Sequence, residues 1–174
     1  MQKSTLTLLA IMVFTIASAA ASGISPDNKN SSAATDPAGI KWLSPDEALE
    51  QHAETGKKIL FYVYTTTCGF CQRTAAEVMV DPNVIETMNE LYLPVRINAG
   101  SRETLQMNGE NLTHRQIATR LGTEYVPFYV VMEKDEIIGS RSGFHNPDQL
   151  AALLVFYADD HYKQLSFEDF LRTW

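Results

Sequence analysis

The two cysteines of this 174-residue chain stand three residues apart, as Cys68-Gly69-Phe70-Cys71. Sulfurs at that spacing can act in turn: one thiolate attacks a foreign disulfide, and the second displaces the mixed disulfide that results. A static cross-link is the weaker reading, because a loop this short restrains little of the unfolded chain. Zinc is weaker still. Structural zinc takes four ligands as a rule, and the sequence offers neither a second C-x-x-C nor a close histidine pair. His52, His114, His145 and His161 are scattered, and His145, two residues beyond Gly143, is the one placed to border the cysteines. No metal and no cofactor is expected.

A thiol needs help to become a nucleophile, and the elements around the motif can supply it. Ile59-Leu60-Phe61-Tyr62-Val63-Tyr64, preceded by Lys57 and Lys58, has the apolar, aromatic and β-branched content of a strand. After the motif, Ala75, Val78 and Met79 recur at helical spacing. Cys68 therefore falls where a helix begins. Its sulfur would face unpaired backbone N–H groups and the positive end of the helix dipole, both of which favour thiolate over thiol.

The start of the chain differs in composition from the rest. Lys3 gives a positive n-region, Leu6 to Ala17 is apolar apart from Thr7 and Thr15, and Ser18-Ala19-Ala20-Ala21 offers small residues for cleavage. Residues 1–21 therefore read as a secretory signal peptide, which implies a periplasmic protein. Residues 22–39 are rich in Ser, Asn, Ala, Asp, Pro and Gly and read as a flexible spacer. The formal net charge is −7, with 14 basic and 21 acidic residues, which argues against nucleic acid as a partner.

Punctuation divides the rest, residues 40–174, into one domain with a core at about 57–162. Ser44-Pro45-Asp46-Glu47 reads as a capping box opening a helix that Gly56 ends. The helix beginning at the motif should run to about Val80, where Asp81-Pro82 interrupts it and caps a second helix carrying Val84, Ile85 and Met88. Leu91 to Ile97 is a second strand. Ala99 to Leu112 is polar with two glycines and reads as a surface loop or excursion, after which Thr113 caps a short helix closed by Gly122. Phe128 to Met132 and Ile137 to Gly139 form a hairpin around Glu133-Lys134-Asp135-Glu136. Pro147 to about Tyr162 is an amphipathic helix, and Phe167, Phe170, Leu171 and Trp174 mark a final docked one. Early crossovers and a late hairpin predict an α/β fold with a mixed sheet between helices.

Three separated features resemble the thioredoxin family over residues 40–162. They are the strand-Cys68-x-x-Cys71-helix, the Val126-Pro127 step before the hairpin, and Gly143 ahead of the last core helix. The resemblance implies a thioredoxin fold, with a central mixed four-stranded sheet flanked by helices and with N-terminal and C-terminal helical additions. It implies Cys68 as the attacking sulfur, Cys71 as the resolving one, and a redox-active disulfide between them. Pro127 is expected to be cis, placing the Val126 backbone beside the sulfurs, and Phe70, Val126, Gly143 and Phe144 to form an apolar collar for protein substrates. Val80-Asp81-Pro82-Asn83-Val84 and the extension from Tyr157 to Phe170 resemble a secreted branch that includes the DsbD C-terminal domain and the SoxW proteins of sulfur oxidisers. Members of that branch suggest protein disulfide or thiol substrates and a membrane reductant transporter as electron donor. Membrane contact would come only through the leader or that donor, and a monomer is expected.

Departures from the family pattern fall at the tuning positions. Thr67 stands where tryptophan precedes the first cysteine, Phe70 where proline often fills the dipeptide, and Tyr62 where thioredoxin carries a buried aspartate that serves the second sulfur. Potentials in the family run from about −270 mV for thioredoxin to about −120 mV for DsbA, so the direction of electron flow stays open. The leading expectation is a reductant of partner proteins. Its rivals are an oxidase or isomerase using the same site, and a non-catalytic binding module with the cysteines locked.

Overall fold

Local signals start the folded unit where the sequence places them. In the computed structural model, which describes residues 39–174, Ser44 caps α1 (Pro45–Thr55). Its hydroxyl accepts from the Glu47 N–H at 3.3 Å while the Glu47 carboxylate accepts the Ser44 N–H at 2.9 Å. Gly56 closes the helix at φ 71°, a left-handed conformation that suits glycine. The expected leader and all but the last residue of the expected spacer lie outside the described residues.

β1 (Lys58–Tyr64) follows and is buried almost throughout, as a central strand covered on both faces must be. The motif opens α2 (Gly69–Arg73), and Asp81 then caps α3 (Pro82–Leu91) by accepting from the N–H groups of Asn83 and Val84. β2 (Tyr92–Asn98) is followed by β3 (Thr104–Met107), β4 (Glu110–Thr113) and α4 (His114–Arg120). β5 (Phe128–Glu133) and β6 (Glu136–Ser142) form the late hairpin, with Lys134 and Asp135 both at positive φ in its turn. α5 (Pro147–Ala158) and α6 (Phe167–Leu171) complete the chain.

The sheet runs β2-β1-β5-β6, with β1 parallel to β2 and antiparallel to β5, and β5 antiparallel to β6. This is the mixed four-stranded sheet expected of the thioredoxin fold. Side-chain alternation divides the core. Leu60, Tyr62, Tyr129 and Val131 pack with α3, α5 and α6 on one face, and Ile59, Phe61, Val63 and Val130 pack with α1 and α4 on the other.

Four expectations are corrected. The segment from Ala99 to Leu112 is not a plain surface loop: it holds the β3–β4 hairpin, which buries Met107 and Leu112 against the second face. Its turn, Asn108-Gly109, takes positive φ at both residues, a conformation these two types tolerate. The helix expected from the motif to Val80 shortens to α2 and then widens into a π-helical segment, Thr74–Val78, with the Met79 N–H donating to the Thr74 carbonyl at 2.9 Å. α5 stops at Ala158 rather than Tyr162, because the buried Lys58 ammonium donates to the Tyr157 and Ala158 carbonyls and to Asp160 Oδ1 at 2.7–3.0 Å. A cation from the central strand thus caps the last carbonyls of the helix, at the negative end of its dipole. In the last helix Phe167 and Phe170 are buried as expected, whereas Leu171 and Trp174 are exposed.

A close approach fixes the edge of the sheet. A Cβ built on Gly139 of β6 would run into the Tyr157 ring of α5. Gly139→Ala is therefore expected to destabilise the fold by about 1–3 kcal/mol through overpacking. Urea unfolding checks this, with the exposed neighbour substitution Ser140→Ala expected to stay within about 0.5 kcal/mol of the parent.

Candidate active site

β1 ends at Tyr64, and the chain turns through Thr65–Thr67 to reach Cys68 as the N-cap of α2. Cys68 has extended backbone at φ −81°, and its Sγ accepts the Cys71 N–H at 3.1 Å, the position a serine or aspartate oxygen takes in an ordinary helix cap. The sulfur therefore sits on an orphan backbone donor at the positive end of the helix. Cys68 and Cys71 are joined in a disulfide with their Cα atoms 5.2 Å apart. Their surroundings differ. Cys68 is half-buried, with solvent on one side, and Cys71 is 3% exposed. An incoming sulfur can reach Cys68 and cannot reach Cys71.

A second backbone segment faces the motif from the start of β5. The Val126 carbonyl oxygen lies 3.5 Å from Cys68 Sγ, and the Val126–Pro127 peptide bond is cis. Gly143 joins from the end of β6, donating its N–H to the Pro127 carbonyl at 2.8 Å at φ 92°. The sheet thus brings together three places that are far apart in sequence, the motif, Val126-Pro127 and Gly143. Phe70 is 62% exposed on the outer surface of the motif. Phe144 is half-buried and carries the Arg73 guanidinium 4.1 Å above its ring, with Arg73 also paired to Glu77 at 2.9 Å. Phe144 also lines a cleft of about 300 Å³ between the end of β6, the start of α5 and α6, together with Arg141, His145, Gln149 and Phe167.

His145 reaches this region through backbone rather than sulfur. Its Nδ1 lies 3.0 Å from the Gly143 carbonyl, so Nδ1 carries the proton and donates, and its ring meets Tyr129 edge-on. Burial lowers its pKa from the ordinary histidine value. His114 is lowered for the same reason, and its Nδ1 accepts the Asn98 N–H at 3.1 Å, tying α4 to the end of β2. Beneath the motif, Tyr62 stacks between Trp42 and Tyr64 and against Tyr129. Burial raises the pKa of both Tyr62 and Tyr129, so both phenols are neutral at ordinary pH.

Sequence reasoning missed three members of this neighbourhood. Tyr125, immediately before Val126, is 73% exposed beside the cis step. Thr74 and Tyr129 place hydroxyls in the buried space under the motif. Tyr125 was legible as an aromatic next to Val126-Pro127. Thr74 was not, because its burial follows from the packing of the motif helix. No group of three or more histidine, cysteine, aspartate or glutamate side chains among the described residues could hold a metal ion.

Comparison with known proteins gives the same picture of the fold. The thioredoxin-like domain family matches residues 45–158. Among solved structures, a thioredoxin-fold protein from Helicobacter pylori is 17% identical, with a TM-score of 0.58, over 75% of this chain and 82% of that one. A thioredoxin from Thermus thermophilus is 18% identical, with a TM-score of 0.53, over 66% of this chain and 84% of that one. A protein described as DsbH oxidoreductase is 12% identical, with a TM-score of 0.52, over 72% of this chain and 86% of that one. No curated protein matches the chain significantly.

The two histidines with lowered pKa make stability depend on pH. Each folded pKa lies below the unfolded value, so on acidification the unfolded chain takes up protons first. The folded state keeps its full margin above about pH 6.5 and loses it as pH falls from there toward the folded values. His145→Phe keeps an aromatic edge against Tyr129 and removes one of the two groups. Urea unfolding at about pH 7.5 and about pH 5.5 is expected to show a smaller acid loss in this variant than in the parent.

Proposed function

Because the chain belongs to the thioredoxin-like domain family, we propose that it is a periplasmic thiol–disulfide oxidoreductase that reduces disulfides of partner proteins through Cys68 and Cys71. The observation that carries this reading is the asymmetry of the pair. Cys68 lies at a helix N-terminus with access to solvent, and Cys71 lies one turn deeper, three percent exposed. A structural disulfide would have no use for one open sulfur held on a backbone N–H.

The reaction runs as two exchanges. The Cys68 thiolate attacks one sulfur of a substrate disulfide; that bond breaks, a Cys68–substrate disulfide forms, and the other substrate sulfur leaves as thiolate. Cys71 then loses its proton and attacks Cys68 Sγ. The Cys68–Cys71 bond forms and the second substrate sulfur leaves. Two electrons pass to the substrate, and two protons complete its thiols. The chain is left in the disulfide form seen here. A dithiol donor must then return it to the reduced state, and a membrane reductant transporter is the donor we assign.

Substrate contact is assigned to the backbone of Val126, which can pair with an extended segment, and to Phe70, Pro127, Gly143 and Phe144 around it. The leader-like residues 1–21 support a periplasmic location, and the resemblance of residues 80–84 to the SoxW branch supports a partner in sulfur oxidation. In an oxidising compartment such a reductant requires a dedicated electron supply.

Cys71→Ala is expected to hold substrates as mixed disulfides on Cys68, recovered by affinity purification from a periplasmic extract and released by dithiothreitol. Cys68→Ala should recover none. Equal recovery by the two variants would remove the directional reading. Equilibration of the wild-type pair with glutathione reads the direction of flow: a potential near about −270 mV supports the reductant, and one near about −120 mV would reassign it as an oxidant.

A further inference from the structure

Three buried hydroxyls, one on the motif helix and two facing it from the sheet, have no part in the exchanges just described. Thr74 follows Cys71 on the same buried stripe of the helix, with its N–H donating to the Cys71 carbonyl. Side chains so spaced are neighbours, with Cβ atoms about 5–6 Å apart. Tyr62 and Tyr129 face that stripe from β1 and β5 as direct cross-strand partners, ring centroids 5.5 Å apart. Thr74 is 0% exposed, Tyr129 1% and Tyr62 5%.

None of the three hydroxyl oxygens makes a hydrogen bond to a protein group. Thr74 lies near enough to both phenols to offset part of the pKa rise that burial causes, yet neither contact closes to a hydrogen bond. Packing alone does not account for this. Phenylalanine and valine would fill the same space without burying polar atoms, and orphaned hydroxyls in a core are costly. Three of them converging on one place call for a partner that accepts hydrogen bonds. In the disulfide Cys71 Sγ is a weak acceptor; as a thiolate it is a strong one.

We infer that Tyr62, Thr74 and Tyr129 form a buried donor site that solvates the Cys71 thiolate, directly or through an enclosed water, and so positions it for the resolving step. The inference rests on the dithiol reading proposed above. In that step the Cys71 S–H passes its proton through the hydroxyls toward solvent. The resulting thiolate attacks Cys68 Sγ, the Cys68–substrate bond breaks, the Cys68–Cys71 bond forms, and the departing substrate thiolate takes a proton from solvent. The phenols remain protonated throughout, so they donate and relay without acting as net bases. A widened helical turn at Thr74–Val78 is the local feature that starts at this hydroxyl, and such turns often mark functional positions.

Other polar and titratable groups lie at the margins of the cluster. Tyr64 stacks on Tyr62, His145 meets Tyr129 edge-on, and the half-exposed Arg73–Glu77 pair lies on the outer face of the same helix. Arg96 stands over Trp42, which stacks on Tyr62 from the first face.

Stopped-flow reaction of the reduced full chain with an aryl disulfide whose thiolate product absorbs visible light separates the two sulfurs. The first release reports Cys68 attack, and the second reports Cys71 resolving the mixed disulfide. Tyr62→Phe and Thr74→Val are each expected to slow the second release about tenfold at neutral pH and to move its pH midpoint up by about one unit, leaving the first release unchanged. Thr74→Ser, which keeps the hydroxyl, should restore the wild-type profile. A second release with unaltered rate and pH midpoint in both variants would overturn the inference, as would equal slowing of both releases. If wild-type protein gives no second release at all, the dithiol reading itself fails, and that outcome is distinct from either of these.

Discussion

The Cys71 N–H donates to Cys68 Sγ, and the chemistry of the site depends on this one hydrogen bond. It makes a sulfur the N-cap of a helix. The same bond gives the two cysteines different environments, because a cap lies at the edge of the helix while the residue three positions on lies within its first turn. For the arrangement to last, a strand must deliver the cap and a core must hold the helix behind it. β1 does the first, buried between β2 and β5, and Val78, Met79 and the aromatic face of the sheet do the second.

The sheet also gathers what the sequence scatters. Val126 comes to Cys68 because β5 lies beside β1, and Gly143 comes to Pro127 because β6 lies beside β5. Substitution in either strand would therefore reach the sulfurs through backbone position. The buried Lys58 belongs to the same logic at the opposite end of β1, where its ammonium ends α5 and fixes that helix over the aromatic face. One strand thus anchors the motif at one end and a covering helix at the other.

Much of this was legible in the sequence for identifiable reasons. Capping residues act locally, so Ser44, Asp81 and Thr113 marked their helices without any tertiary information. The motif was legible because its chemistry needs two sulfurs at one spacing, and the late hairpin because a charged turn divides two apolar runs. The β3–β4 hairpin was hidden because its strands are short and commit only Met107 and Leu112 to the core. The early end of α5 was hidden because its terminator is Lys58, about a hundred residues away. Tyr62 was visible as a departure from the family pattern, but its relation to Thr74 and Tyr129 requires the sheet register and the helix rotation, which no linear pattern carries.

The asymmetry of the pair is open to direct measurement. Reduced protein treated briefly with iodoacetamide near neutral pH, then unfolded and fully blocked with a second alkylating agent, can be mapped by mass spectrometry to give a rate for each cysteine. A solvent-accessible thiolate on a helix N-terminus should react far faster than a sulfur three percent exposed, so Cys68 should carry nearly all of the first label. Equal labelling, or faster labelling of Cys71, would contradict the account.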